Sequence, residues 1–322
     1  MFHWLPNEPD TFVFNDLRNG KAVAVVMNWK TGAERTVPHP VAAVTRDGRK
    51  AISLNYSRLY LTRPDYGYAG DGQDAREKVA WPEDDGLWLV DLKTGASSLI
   101  LSVAAGRSLM PPTKPDPSQP GNPLAYYCHA VFNPSGDRVF FLARSVDWFD
   151  KVNHKIPMWN TTSFTVKTDG TDLRRCFAGD WGGSHFNWLD DETMVVTVYP
   201  QEAGPWKCWH VTFAVGDEAH PHRLAPGLLD WDGHCVYSPD GKWMSTEGYF
   251  DGTFRRNWVL MRCADEAVLP IGSFYVPEAY RGGHWRCDLH ARWRPDGRQL
   301  GFNSVHEGTR QVYVIDVGEG EE

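Results

Sequence analysis

Apolar residues recur at every second position in short runs along nearly the whole chain, and turn residues interrupt each run. Aligned on the turn, four stretches fall into register: HAVFNPSGDRVFFL (129–142), HFNWLDDETMVVTV (185–198), HCVYSPDGKWMSTE (234–247) and HARWRPDGRQLGFN (290–303). Two weaker copies precede them, MFHWLPNEPDTFVF (1–14) and VAAVTRDGRKAISL (41–54). Each reads as a short strand, a tight Pro/Asp-Gly turn and a second strand. Further strand pairs follow in GLWLVDLKTGASSLILSV (86–103), SFTVKTDGTDLRRCF (163–177), WHVTFAVGDEAHPHRL (209–224) and NWVLMRCADEAVLPIGSF (257–274). No convincing amphipathic helix is seen.

Four-stranded antiparallel units repeating in this way predict an all-β chain, a β-propeller. Six copies are readable, and six or seven blades are expected, because the last copy shows only a third strand, RQVYVIDVG, before the chain stops. The whole of 1–322 is expected to form one propeller domain. The double-length gap between the copies at 41 and 129 is assigned to loop insertions at about 58–85 and 103–127, both rich in Gly, Pro and Asp.

Composition narrows the class. Of 322 residues, 42% are hydrophobic, enough for a sizeable core. The 15 Trp, 15 Phe and 12 Tyr suit strands, and Trp also suits sugar-binding surfaces. The formal charge of −8, with no basic block, argues against a nucleic-acid partner but leaves room for a locally basic cleft. No apolar run is long enough for a membrane span, and MFHWLPNEPD lacks the pattern of a secretory leader. The six cysteines form no CxxC pair, so reduced, packed thiols and a cytoplasmic location are expected.

The candidate chemistry lies in the first position of the repeat. His129, His185, His234 and His290 share one phase in four consecutive copies, although the chain has only 12 histidines. In a propeller the first strand of each blade lines the channel, so these side chains are expected at one mouth. Neutral imidazoles ligate transition metals, and nearby carboxylates favour a hard ion such as manganese. Asp288 lies two residues before His290, and Asp232 two before His234, hence on the same strand face. By the same alternation Arg286 joins Asp288 and His290, and HEG (306–308) adds His306 and Glu307. A structural histidine network is the competing reading. Neither a Gly-rich phosphate loop nor a nucleophile elbow is present.

The turns of SPDGKW type resemble TolB-like propeller repeats. The stretches GGSHFNW, DGHCVYSPDGKW, CDLHARWRPDG and SVHEG resemble the oligogalacturonide lyases, seven-bladed propellers with a central metal. That resemblance implies a manganese ion held by histidines and a Gln, a His base and an Arg. It places His185 at the base and His234 and His290 at metal ligands; the family's Gln and a second nearby His are missing, and Asp288 stands in for one of them. It leaves the Arg open between Arg144 and Arg58.

The reaction it implies is β-elimination from a uronate-containing oligosaccharide, the expected acidic partner. A divalent metal and an Arg offset charge on the sugar carboxylate, and neutral His takes the adjacent proton. On this reading His129, Arg58, Tyr66, Tyr68 and Arg286 contact substrate. The two tyrosines lie in PDYGYAGDG (64–72), a candidate lid over the channel. His306 completes the expected metal set. Two alternatives stay open: a glycoside hydrolase using carboxylates among Asp232, Asp288 and Glu307, and a non-catalytic TolB-like binding module.

Overall fold

The computed structural model describes residues 2–69, 76–111, 123–150, 152–156, 160–177, 181–200, 207–249 and 252–318. It contains six antiparallel sheets in chain order, the blades of a six-bladed β-propeller fold. The chain divides into two compact units, Met1–Cys176 and Phe177–Glu322, with three sheets in each.

In the first unit, sheet one is β1 (Phe2–Trp4), β2 (Thr11–Arg18), β3 (Lys21–Asn28) and β4 (Glu34–Val37). Sheet two is β5 (Ala43–Val44), β6 (Lys50–Ser53), β7 (Gly86–Asp91) and β8 (Ser97–Ser102). Sheet three is β9 (Leu124–Phe132), β10 (Arg138–Val146), β11 (Asn160–Lys167) and β12 (Arg174–Arg175). The long gap is therefore a single blade, with one insertion between its second and third strands. That insertion carries the short helix α1 (Tyr56–Tyr60), which Asn55 caps by accepting the Arg58 N–H. The second insertion, between sheets two and three, ends earlier than expected, because Leu124–Tyr127 already pair with β10. Residues 70–75 and 112–122 of the two insertions lie outside the described residues.

In the second unit, sheet four is β13 (Gly182–Trp188), β14 (Thr193–Tyr199), β15 (Trp209–Ala214) and β16 (His222–Arg223). Sheet five is β17 (Gly233–Tyr237), β18 (Trp243–Gly248), β19 (Arg255–Arg262) and β20 (Val268–Tyr275). Sheet six has three strands among the described residues, β21 (Arg292–Trp293), β22 (Gln299–Ser304) and β23 (Gln311–Asp316). No helix among the described residues is long and apolar enough to cross a membrane.

Period-two patterning turns each strand into a two-sided packing surface. In β17, Cys235 and Tyr237 join Val195, Met244 and Met261 in the core between sheets four and five. The alternate residue Val236 packs with Trp258, Leu289, Leu300 and Phe302 between sheets five and six. His234 shares the Val236 face. The turn behind it works as its residues dictate. Gly241 takes a φ of 70°, which favours glycine. Asp240 accepts the Ser238 hydroxyl at 2.6 Å and the Lys242 N–H at 3.1 Å. All six cysteines are free thiols, and five are buried.

Candidate active site

Three of the four in-phase histidines sit where the first strand is irregular. In β9 the register slips between the pairs Leu142–Cys128 and Phe140–Val131, and His129 takes a φ of 55°. In β13 it slips between Gly183–Val198 and Phe186–Val196, so Ser184 and His185 share the bulge. His290 lies just before β21 with a φ of 46°. Such bulges and left-handed residues re-aim a side chain out of the ladder. His234 alone stays in regular register, directly opposite Glu247 of β18. Its neighbour Gly233 permits this close pairing, since a Cβ there would lie 2.5 Å from the Glu247 carbonyl oxygen.

The second unit brings His185, His234 and His290 together. The His185 and His234 ring centroids are 3.9 Å apart, and those of His234 and His290 are 4.2 Å apart. Glu247, whose side chain is fully buried, pairs with His234 Nδ1 at 2.8 Å through Oε1 and accepts the His290 backbone N–H at 2.9 Å. Its other oxygen, Oε2, has no hydrogen-bond partner among the described residues. Burial pushes Glu247 up to about 7 and His234 down to about 3. Burial thus disfavours charge on both groups. His290 is lowered in the same direction, by burial and then by His234. His234 Nε2 and His290 Nε2 face each other at 3.1 Å.

Carboxylates and guanidinium groups surround these rings. Asp232 accepts from His185 Nδ1 at 2.7 Å and from the Tyr199 hydroxyl. Burial opposes its ionisation, but those hydrogen bonds and the imidazole outweigh burial and hold it below the usual carboxylate range. The Tyr249 hydroxyl lies 3.3 Å from His185 Nε2. Asp288 forms ion pairs with the buried Arg256 and, at 2.8 Å, with Arg286. The two guanidiniums outweigh burial and keep Asp288 ionised.

The donor atoms of His234, Asp288 and His290 lie within 4.8 Å of one another and form a candidate metal centre. Two nitrogens bound to zinc at about 2.0–2.1 Å stand roughly 2.8–3.4 Å apart for angles from square to tetrahedral, which brackets the observed 3.1 Å. A carboxylate on the far nitrogen of a ligating imidazole is the usual outer support of such a ligand. A cation beyond His234 would also offset the one-sided bonding of buried Glu247. Asp288 fits less directly, because both guanidiniums already claim its oxygens. The residues therefore fit a metal held mainly by two imidazoles.

The remaining sequence-derived candidates take other places. His306 is not in the donor cluster; its ring packs against Phe274 and Tyr313, and its Nδ1 lies 2.7 Å from Ser304 Oγ. Arg286, expected to contact substrate, is partly exposed and stacks over Tyr249 at 4.5 Å. In the first unit, His129 packs near the exposed ring of Tyr66 at 5.7 Å. Tyr68 stacks on Tyr56 at 4.6 Å, and its hydroxyl accepts from Asn15. The described part of the candidate lid is thus tied down at Tyr68. Arg144 is buried on β10, between Tyr126 and Thr161 of the flanking strands. Arg58 is buried and donates to four backbone carbonyls, those of Ala125, Arg76, Val79 and Ala80. Glu247, Tyr249, Tyr199 and Arg256 had not been singled out from sequence. For Glu247 a signal existed: counting outward from Tyr237 opposite Met244 puts an acid across the hairpin from His234.

No family model matches the sequence, and no curated protein matches it. Solved structures do share the fold. An oligogalacturonate lyase in complex with manganese superposes with a TM-score of 0.62 at 17% identity, over 96% of this chain and 74% of that one. The oligogalacturonate lyase of Vibrio parahaemolyticus gives 0.63 at 15% identity, over 98% and 77%. TolB from Acinetobacter baumannii gives 0.50 at 13% identity, over 94% and 60%. The chain is thus similar in fold to the oligogalacturonate lyases and to TolB-like propellers, as its repeats and histidine-bearing stretches had suggested.

Proposed function

We propose that this protein is a lyase that cleaves uronate-containing oligosaccharides by metal-assisted β-elimination. The observation that carries the reading is the facing pair His234 Nε2 and His290 Nε2 at 3.1 Å, with His234 braced from behind by buried Glu247. Two neutral, converging imidazoles are a metal-binding arrangement. The similarity in fold to a lyase in complex with manganese supports manganese as the ion.

His234 and His290 would hold the ion, with Asp288 beside them. A bound divalent ion supplies charge stabilisation for the sugar carboxylate as its α-proton leaves. Arg286 offers a partly exposed guanidinium for the same carboxylate, oriented by Asp288. His185, held by Asp232, supplies the basic group. A hydrolase would need two carboxylates free to act on substrate. Asp232 and Asp288 are instead engaged as above, and Glu307 accepts the Tyr313 hydroxyl at 2.7 Å.

The test is direct. Purified protein is loaded with manganese and incubated with oligogalacturonate and related oligouronides, and the ultraviolet absorbance of an unsaturated sugar is followed. A rise that needs the metal supports the lyase. New reducing ends without that absorbance would replace it with a hydrolase, and neither signal would leave a binding module.

A further inference from the structure

The hydrogen bonds around His185 form a chain that runs outward to solvent. The Tyr199 hydroxyl donates to Asp232 Oδ2, and His185 Nδ1–H donates to Asp232 Oδ1 at 2.7 Å. His185 Nε2 is then left bare, and the Tyr249 hydroxyl donates to it at 3.3 Å. Ser184 Oγ also lies 3.2 Å from Nδ1. Both ring nitrogens of His185 therefore face protein groups. Its side chain is 18% exposed, whereas Tyr249 is 37% exposed and forms the outer end of the chain.

Burial, and then Asp232, hold the proton on the Tyr249 phenol and raise it to about 12, so a neighbouring base must take that proton, and His185 Nε2 is the group in reach. The Arg286 guanidinium carbon lies 4.5 Å from the ring centroid, and that of Arg256 lies 5.5 Å away. The Arg286 cation opposes that rise without overcoming it. The His234 ring lies edge-on to the Tyr249 ring, with centroids 6.2 Å apart. Tyr249 directly follows β18, the strand that carries Glu247, and this fixes its position relative to both histidines.

We propose that Tyr249, rather than His185, is the catalytic residue that exchanges protons with the sugar, and that His185 is the positioning and relay residue behind it. The proposal rests on the lyase reading. Tyr249 passes its hydroxyl proton to His185 Nε2 and takes the proton from C5 of the uronate ring. The C5–H electron pair becomes the C4=C5 double bond as the C4–O4 bond breaks. The proton now on Tyr249 goes to the departing O4, and His185 returns its proton to Tyr249. One chain leaves with a hydroxyl, the other with an unsaturated ring, and the protein is unchanged. Asp232 stabilises the transient imidazolium, as a carboxylate does in a catalytic triad.

The decisive comparison is Tyr249→Phe against His185→Gln in the manganese-loaded full chain. The phenylalanine keeps the ring beside the two guanidiniums and removes only the hydroxyl. Loss of a positioned acid–base group costs roughly 10²–10⁴-fold. Tyr249→Phe is expected to lose kcat within that range, with KM and bound manganese within about threefold of wild type, a split that mere loss of packing would not produce. His185→Gln is expected to lose less than Tyr249→Phe, because tyrosine still reaches the sugar. The proposal is overturned if Tyr249→Phe keeps a third or more of wild-type kcat while His185→Gln is inactive, since His185 then acts directly. Should Tyr249→Phe fail to fold, His185→Gln decides alone: retained turnover supports the relay, and complete loss at full manganese occupancy overturns it. A wild type that yields no unsaturated product from any oligouronide takes down the lyase reading, and this proposal with it. An active wild type with an active Tyr249→Phe takes down the proposal alone.

Discussion

Arg58 in the first unit and His234 in the second are both polar side chains drawn into the protein beside a blade, yet their partners differ in kind. Arg58 donates to four backbone carbonyls, tying its insertion to the start of sheet three. A guanidinium keeps its proton, and a carbonyl has none to give, so that network is scaffold. His234 joins Glu247 and His290, and its neighbour His185 joins Asp232 and Tyr249. Each of those groups can gain or lose a proton, and the last stands open to solvent. The same contrast holds for the cavity of about 420 Å³ in the first unit, lined by His39, Trp88, Asn55 and Asp85. Asp85 there accepts from Asn55 at 2.6 Å and from Trp88 at 3.3 Å, so its polar wall is bonded to itself. Buried polarity and empty volume do not mark a site by themselves; what matters is where the hydrogen bonds end.

The largest expected effect separates the two units outright. His234→Ala or His290→Ala should abolish stoichiometric manganese binding, measured by mass spectrometry of the dialysed protein, whereas Arg58→Met should leave it intact. Metal lost equally in Arg58→Met would break the comparison. Next in size is Glu247→Gln. Removing the outer support of a metal-bound imidazole costs roughly 10–100-fold in affinity, and a manganese titration should show a loss in that range with the fold retained. An affinity within twofold of wild type would reduce Glu247 to packing.

Arg58→Met should act on stability instead. Each buried carbonyl left without its donor costs about 1–3 kcal/mol, so the urea midpoint should drop markedly. An unchanged midpoint would show that the carbonyls find other donors. The smallest effect at neutral pH concerns His210, a buried histidine of the second unit that ends on Leu229 O and Thr246 Oγ1. Burial lowers it to about 4, below the unfolded imidazole value. The unfolded chain thus binds a proton that the folded chain refuses. The contribution is present above about pH 6.5 and is lost as pH falls towards 4. His210→Gln should flatten that part of the stability–pH curve; a slope identical to wild type would place the titration elsewhere.

Much of this molecule was legible before its structure. The strands followed from alternation, the hairpins from Asp-Gly turns, and the blade series from the repeat. Four histidines at one phase pointed to the site, and His185, His234 and His290 do meet. The alternation argument for Arg286 and Asp288 also led to real neighbours, although that segment is not a regular strand. It also put Asp232 on the His234 side, where Asp232 bonds to His185 of the preceding sheet, a partner that alternation does not name. Arg58 and Tyr68 looked like substrate contacts because they lie in a long Gly-rich insertion, while packing binds them to carbonyls and to Tyr56.

The physical reason is the range of the interactions. Period-two patterning, turn preference and strand order are local properties, so the sequence by itself determined a propeller of four-stranded blades and the strand position from which its chemistry projects. Glu247 opposite His234 follows from its hairpin, but that Asp232 braces His185, and that Tyr249 stands outside His185 while Arg286 flanks it, depends on how neighbouring sheets pack. Bulges at His129 and His185 and a left-handed residue at His290 shift side chains out of the ladder by amounts that no repeat alignment encodes. Only the tertiary structure decided those pairings, because each joins residues far apart in the chain.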